Sequence, residues 1–591
     1  MKIKQEISKK IRLWLNIYLG IIGIFSLIAL IANFGFYLSH SLISILSDII
    51  TIVILAFILQ EIIRWFLAKN PLEYLHERWF ENLLALLLLV ETIFPHTVMR
   101  ILNSFLPNLS FKNLSLLYLS VIEIVILMGI IIKALRYSHL ITRINLHPGA
   151  ILSLSFAVII LSGAFMLMLP KSTVAGGMSF VNALFTSTSA VCVTGLIVVD
   201  TAAAFTFTGK VIIMLLIQVG GLGIMTLTTF FILTIGGSGI SYKFRVLMKD
   251  LLSNESINEV TSLLFKIASF TFLIELIGAI SIYYSIGGGF LSINPQKAFI
   301  AIFHSISAFC NAGFSLFSNN LMDSYAQSNY LFTSTIMLLI VLGGLGFTVL
   351  SNIAGLKPFG VARKKIRRQL SISSKVVIIT TLALIFTGML MMFITENYSY
   401  MPVWNFGEKL YHALFQSVSA RTAGFNTLPI DRMTAASAMI LIVLMWIGAS
   451  PGSTGGGIKT TTFAVMALAL YNYILDKDKI EIFHREIDRD SVQRAFLTVI
   501  ASLFVLGLGS TMLVWLEPDK DPLNLIFEAT SALGTVGLSR NVTYFIGSGG
   551  KVVLILLMYI GRIGVLTFFL AFYKPGKALH YSVPKESISI G

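Results

Sequence analysis

One short segment of mixed polarity recurs four times in this chain. Phe185 to Leu196 (FTSTSAVCVTGL), Phe303 to Phe314 (FHSISAFCNAGF), Phe415 to Phe425 (FQSVSARTAGF) and Phe527 to Leu538 (FEATSALGTVGL) each carry Phe, then Ser or Ala, Ser and Ala at fixed steps. Each closes on a glycine, at 195, 313, 424 and 537, so the period is 111 to 118 residues, and long apolar segments flank every copy. Self-similarity at a steady period marks an array of like units, and the array predicts fourfold internal symmetry.

Each copy is too short to cross a bilayer. A segment that enters a membrane and returns leaves backbone groups unpaired, which hydrocarbon tolerates only where they face protein or a water-filled cavity. Four such segments about one axis supply that cavity, and the matching chemistry is a ring of carbonyls that replaces a cation's hydration shell. Glycine after a short helix permits φ > 0, which turns successive carbonyls inward. The partly negative helix C-terminus also favours a cation there.

Composition places the array in a membrane. Of 591 residues 56% are hydrophobic and only 12% charged, and mean hydropathy is +0.86, which predicts an all-α polytopic membrane protein. The net charge of +15 sits mostly in short connections between apolar runs, as the positive-inside rule requires, and does not point to nucleic acid. Two cysteines, Cys192 and Cys310, exclude a disulfide framework or thiolate metal site. Both follow the repeated Ala by two residues, and symmetry predicts that they approach each other as small packing residues or as a regulatory thiol pair.

The basic start, with Lys2, Lys4, Lys9, Lys10 and Arg12, precedes an apolar run to about residue 38, and reads as a signal anchor with a cytoplasmic N-terminus. Further spans are predicted near 42–67, 80–96 and 114–135. Four extra transmembrane helices thus precede the array, with Glu61, Glu91 and Glu123 in or near them. The predicted organisation is an N-terminal four-helix extension over 1–145, four membrane–pore-loop–membrane repeats over 149–250, 255–370, 371–480 and 487–575 around a pseudo-fourfold axis, and a tail over 576–591. The basic exit of the second repeat over 363–368 predicts a loop near anionic lipid or a docking site for a soluble partner.

The third repeat departs from the pattern. Its second span reads WIGASPGSTGGGIKTTT from Trp446, and a proline, five glycines and Lys459 cannot form an uninterrupted apolar helix. A phosphate-binding loop is excluded, because the Gly-x-x-x-x-Gly-Lys spacing is missing. The segment Gly452, Ser453, Thr454, Gly455, Gly456, Gly457 and Lys459 is predicted to obstruct the path below the carbonyl ring, Lys459 repelling a cation. In the fourth repeat Arg562 falls where the others have Gly221, Gly344 and Ala449. It is expected to face the pore as part of the gate, or to pair with Glu275.

At these residues the chain resembles the Trk/Ktr/HKT superfamily of potassium transporters, in its bacterial membrane-embedded subunits. The resemblance covers about 149–573 and rests on Gln218–Thr226, Ser419–Thr427, Gly452–Thr460 and Gly561–Thr567. It implies a K+ selectivity filter of Val193, Thr194 and Gly195, Asn311, Ala312 and Gly313, Thr422, Ala423 and Gly424, and Thr535, Val536 and Gly537. It implies gating at Gly452–Lys459, a homodimer in the plasma (bacterial inner) membrane, and a cytosolic nucleotide-binding regulatory subunit of TrkA/KtrA type. In the plant branch a serine at the first filter position accompanies sodium transport, so Gly195 implies potassium. No dinucleotide-binding Gly-x-Gly-x-x-Gly occurs in this chain, and no organic cofactor is expected.

The leading reading is therefore channel-like potassium uptake. A symporter coupled to H+ or Na+ is the alternative, against which stand four repeats running in one direction rather than inverted pairs. A scaffold with a vestigial pore is a third reading, and four intact glycines oppose it. Enzymatic function is not expected, since His304 and His412 lie beside the short helices without a nucleophile–base–acid set, and are read as packing or capping groups.

Overall fold

The computed structural model describes residues 148–223, 257–289, 294–354, 370–397, 404–477 and 479–571, with scattered positions between 31 and 89. The predicted N-terminal spans, apart from those positions, the basic run over 363–368 and the tail over 576–591 lie outside the described residues.

The described chain is helical, apart from a two-stranded hairpin, Glu481–Ile482 with Arg485–Glu486. The first group comprises α1 (Pro148–Met168), the short α2 (Phe180–Val191) and α3 (Phe207–Gly221). The second comprises α4 (Ile257–Ser285), the short α5 (Pro295–Phe309), α6 (Tyr330–Leu345) and α7 (Phe347–Ala354). The third has α8 (Ile372–Glu396), the short α9 (Phe406–Ser419), α10 (Ala435–Trp446) and α11 (Thr460–Ile474). The fourth has α12 (Arg489–Leu516), the short α13 (Pro522–Gly534), α14 (Ser548–Ile563) and α15 (Val565–Ala571). By length and apolarity α8, α12 and the Ile267–Ser285 part of α4 can cross a bilayer, and counting the bent pairs α6–α7 and α14–α15 makes five among the described residues.

Local chemistry sets where the short helices start. Asn294 accepts the backbone N–H groups of Gln296 and Lys297, and Pro295 opens α5. Asp521 accepts the N–H of Leu523, and Pro522 opens α13. Asparagine or aspartate at the cap and proline at the first position satisfy donors that a helix start leaves orphaned.

Packing closes these groups into a cycle. Each first helix lies on its own short helix, as α1 on α2, α4 on α5, α8 on α9 and α12 on α13. Each short helix also packs against the second helix of the group before it: α5 on α3, α9 on α6, α13 on α10, and α2 on α14. The repeated phenylalanine anchors every group, for Phe185, Phe303, Phe415 and Phe527 are all fully buried.

A glycine in each first helix makes the close approach possible. A Cβ on Gly163 would strike Ser187 and Leu216, on Gly278 Ser305 and Leu339, on Gly388 Ser417 and Leu444, and on Gly509 Leu557. In three groups the serine at this contact donates its hydroxyl to a first-helix carbonyl: Ser187 to Ile160 at 2.7 Å, Ser305 to Glu275 at 2.6 Å and Ser417 to Ile385 at 2.8 Å.

Helix breaks are not confined to the third group. α6 and α7 meet at 100° and α14 and α15 at 94°, at Gly346 (φ 88) and Gly564 (φ 92), and Gly223 (φ 76) follows α3 at the matching step. Only glycine adopts such φ values without strain.

Filling the first-helix notch should cost stability. Gly278→Val is expected to lower the melting temperature of the detergent-purified protein by an overpacking penalty of about 1–3 kcal/mol. Gly507→Ala, on α12 where no atom lies within 4 Å, should leave it unchanged or raise it slightly.

Candidate functional site

The four short helices end in the same turn. After each, one residue adopts positive φ, Val193 (56°), Asn311 (61°), Thr422 (71°) and Thr535 (51°), and two residues on the glycine does too, Gly195 (93°), Gly313 (70°), Gly424 (75°) and Gly537 (92°). Left-handed conformations at a β-branched valine and two threonines are costly and persist only where the surroundings enforce them. Here the repeated serine does so. Ser189 Oγ accepts Gly195 N–H and Ser531 Oγ accepts Gly537 N–H, both at 3.0 Å. In the other two turns the serine hydroxyl donates to the residue after the glycine, Ser307 to Phe314 O at 2.8 Å and Ser419 to Phe425 O.

These turns form a closed ring. A Cβ on Gly195 would collide with Ala312 O and Gly313 Cα. On Gly313 it would lie 2.7 Å from Ala423 O, on Gly424 2.6 Å from Val536 O, and on Gly537 it would strike Thr194 O. Each glycine therefore faces the carbonyl that precedes the next copy's glycine, and the last returns to the first. The structure brings all twelve residues of the predicted filter to this ring, and all twelve are buried.

The broken segment of the third group lies against one side of the ring. Ile447 and Ile458 pair as a parallel bridge, and the loop between them reaches three groups. Ser450 N donates to Gly344 O at 3.1 Å, Thr454 N to Gly343 O at 3.4 Å, and Thr454 Oγ1 to Phe309 O at 3.3 Å in the second group. Phe347 N donates to Gly452 O at 3.0 Å. Gly456 N donates to Thr535 Oγ1 at 3.0 Å in the fourth, and Gly455 sits directly on Thr422. Ser453 Oγ turns back to Ser450 O at 2.6 Å, and Gly457 crosses Gly448.

Two cations border this loop. Lys459 Nζ donates to Gly455 O at 2.8 Å, so its ammonium folds onto the loop. Arg562 donates from one amino group to Thr454 O and from the other to Gly220 O, spanning from the fourth group to the loop and to the first. Arg562 thus bonds to the loop and to the first group, and does not make the pair with Glu275 that was one of the two expectations for it. Glu275 instead accepts from Gln218 Nε2 at 3.1 Å, with Cys310 Sγ at 3.7 Å. Both cysteines are buried and free, and Cys310 Sγ occupies the space that Gly221 leaves. His304 is buried between Ile300 O (2.8 Å) and Ser315 Oγ (3.1 Å), and His412 contacts Thr427 Oγ1 at 3.0 Å.

Several contributors carry no motif of their own. Asn320 Nδ2 donates to the ring carbonyl Gly424 O at 3.3 Å. Glu528, fully buried, accepts from Ser539 Oγ (2.6 Å), Arg540 N–H (2.9 Å) and Thr543 Oγ1 (2.6 Å), and so holds the segment leaving the fourth turn. A carboxylate in place of the Thr186, His304 or Gln416 of the other copies was the available signal.

Apolar helices wrapped around a ring of main-chain turns define a membrane transport protein. Residues 120–581 match the TrkH family, described as cation transport protein, and the chain belongs to that family. It is 37% identical over 447 residues to the Ktr system potassium uptake protein B of Bacillus subtilis (strain 168), covering 74% of this chain and 96% of that one. It is 34% identical over 463 residues to the potassium/sodium uptake protein NtpJ of Enterococcus hirae, covering 76% and 98%. Among solved structures, the potassium transporter TrkH from Vibrio parahaemolyticus superposes with a TM-score of 0.58 at 19% identity over 76% of this chain and 90% of that one, a likeness of fold. The chain is thus a Trk/Ktr-type membrane subunit, a transporter and not an enzyme.

Removing the Glu528 carboxylate should free the segment it holds. Glu528→Ala is expected to cost about 3 kcal/mol, from hydrogen bonds to a charged group left unmade, and to speed amide exchange over 538–543. Glu528→Gln should lose less.

Proposed function

We propose that the protein takes up potassium across the plasma membrane through a channel-like pore, with the N-terminus cytoplasmic. In this reading the four groups are repeats about a pseudo-fourfold axis. The oxygens of Val193–Gly195, Asn311–Gly313, Thr422–Gly424 and Thr535–Gly537 replace the hydration shell of K+. The single observation that carries it is the closed glycine–carbonyl cycle: main-chain oxygens gather at one place with no carboxylate of the described residues at their centre, and that chemistry suits a weakly hydrated monovalent cation that must leave as readily as it enters. Relatives at 37% and 34% identity, a potassium uptake protein and a potassium/sodium uptake protein, support potassium as the ion.

The loop Gly452–Lys459 is the gate. It is tied to the second group by Thr454 N, Thr454 Oγ1 and Gly452 O, to the fourth by Gly456 N, and to Arg562 by Thr454 O, so releasing this handful of contacts would move it. Inward flux then follows the membrane potential, about 2.3 kcal/mol per charge per 100 mV. A homodimer and a cytosolic nucleotide-binding subunit complete the proposed assembly, the partner acting on the gate from the cytoplasmic side.

Coupling to H+ or Na+ is the second reading, and the buried Glu275 favours it, since an intramembrane carboxylate can carry a proton. Proteoliposomes under imposed K+, Na+ or pH gradients separate the two: uptake that requires a second gradient means coupling.

The decisive measurement is 86Rb+ flux in proteoliposomes. Gly195→Ser would press a Cβ onto Ala312 O at a φ that serine rarely adopts. It is expected to reduce discrimination between K+ and Na+ by about tenfold, a loss of about 1.4 kcal/mol. Deletion of Gly452–Gly457 is expected to raise flux severalfold. Unchanged selectivity and unchanged flux would reject the filter and gate assignments.

A further inference from the structure

The third copy is one residue shorter than the others between its phenylalanine and its glycine, and Arg421 stands just before the left-handed Thr422 where the other copies have Cys192, Cys310 and Gly534. Arg421 is only 6% exposed. Its Nη2 donates to Gly448 O at 3.0 Å, while Nε and Nη1 have no hydrogen-bond partner among the described residues. Neither ion pair recorded among those residues includes it.

Symmetry explains why no carboxylate among the described residues answers this charge. Ser305 donates to the carbonyl of Glu275 and Ser417 to that of Ile385, so Ile385 holds the position in α8 that Glu275 holds in α4. Between the first two groups a carboxylate faces Cys310; between the next two, a guanidinium faces hydrocarbon. Arg421 and Ile385 line a partly open cavity of about 10 Å3, together with Gly344, Ala449, Ile340 and Thr381. Thr381 is 8% exposed, and its hydroxyl also has no partner among the described residues.

A guanidinium does not escape burial by losing its proton, and an isolated buried charge is strongly unfavourable unless paired. Space for about one water-sized occupant, two unused guanidinium donors and one unused hydroxyl together describe an acceptor of negative charge. We propose that this cavity binds a small monovalent anion of the chloride class, held by Arg421 Nε and Nη1 and by Thr381 Oγ1. A water molecule satisfies the donors but leaves the charge uncompensated. The bound anion fixes Arg421, and through Nη2 it fixes Gly448 at the edge of the loop.

Binding is read on the full-length protein, independently of any ion flux. Crystals of the wild type grown in bromide should give an anomalous peak between Arg421 and Thr381. At constant K+ and ionic strength, replacing gluconate with chloride should raise the melting temperature saturably, by about 2–4 °C. Thr381→Val should shrink that increment and Arg421→Gln should abolish it. No bromide peak, a peak-free density that refines as water, or a chloride increment that survives Arg421→Gln at full size would each overturn the proposal. Should Arg421→Gln fail to fold, the bromide peak in the wild type decides alone.

Discussion

The interaction on which the structure depends is the pairing of main-chain polar groups where hydrocarbon surrounds the protein. A short helix that stops inside a membrane must dispose of its last carbonyls and of the donors in the turn that follows. The repeated serine takes up the donor in two turns and fastens the exit segment in the other two, and the left-handed residue and glycine turn the remaining oxygens toward one centre. Because those oxygens meet glycines of the neighbouring turn and not side chains, the centre is built from backbone alone.

Small residues determine how near the helices can come to that centre. The notch at Gly163, Gly278, Gly388 and Gly509 lets each first helix settle on its short helix, as interfaces in membranes generally require. Steric identity there contrasts with chemical difference one layer inside. Thr186, His304, Gln416 and Glu528 occupy the same step of the four short helices, and Cys192, Cys310, Arg421 and Gly534 share the step before the left-handed residue. The frame repeats while its polar interior does not.

Much of this was legible in the sequence because it recurs. The four glycines, the break after Trp446 and the equivalence of Arg562 with Gly221, Gly344 and Ala449 are positions in a period, and the structure sets Gly220, Gly343 and Gly561 against the ends of the short helices at Val191, Phe309 and Leu533, which fixes that alignment for Gly221 and Gly344, whereas Gly448 meets Gly456 and Gly457. What escaped has no periodic signature, or has one drowned by composition. Glycines are common in apolar helices, so the notch glycines did not stand out, and the bends at Gly346 and Gly564 sit in runs whose hydropathy is unbroken. The partner of Glu275 is Gln218, three residues before Gly221, and the acceptors of Arg562 are carbonyls that belong to no residue type. Backbone acceptors cannot be read from side-chain identity.

Covalent linkage of the four quarters has a consequence for stoichiometry. In an assembly of four separate identical chains any insertion would appear four times around the centre, and a glycine-rich loop of the size of Ile447–Lys459 would compete with three copies of itself for the space beside one ring. Encoding the quarters in tandem lets a single quarter contribute the loop while another contributes the arginine that bonds to it, so the two partners can diversify without duplicating themselves.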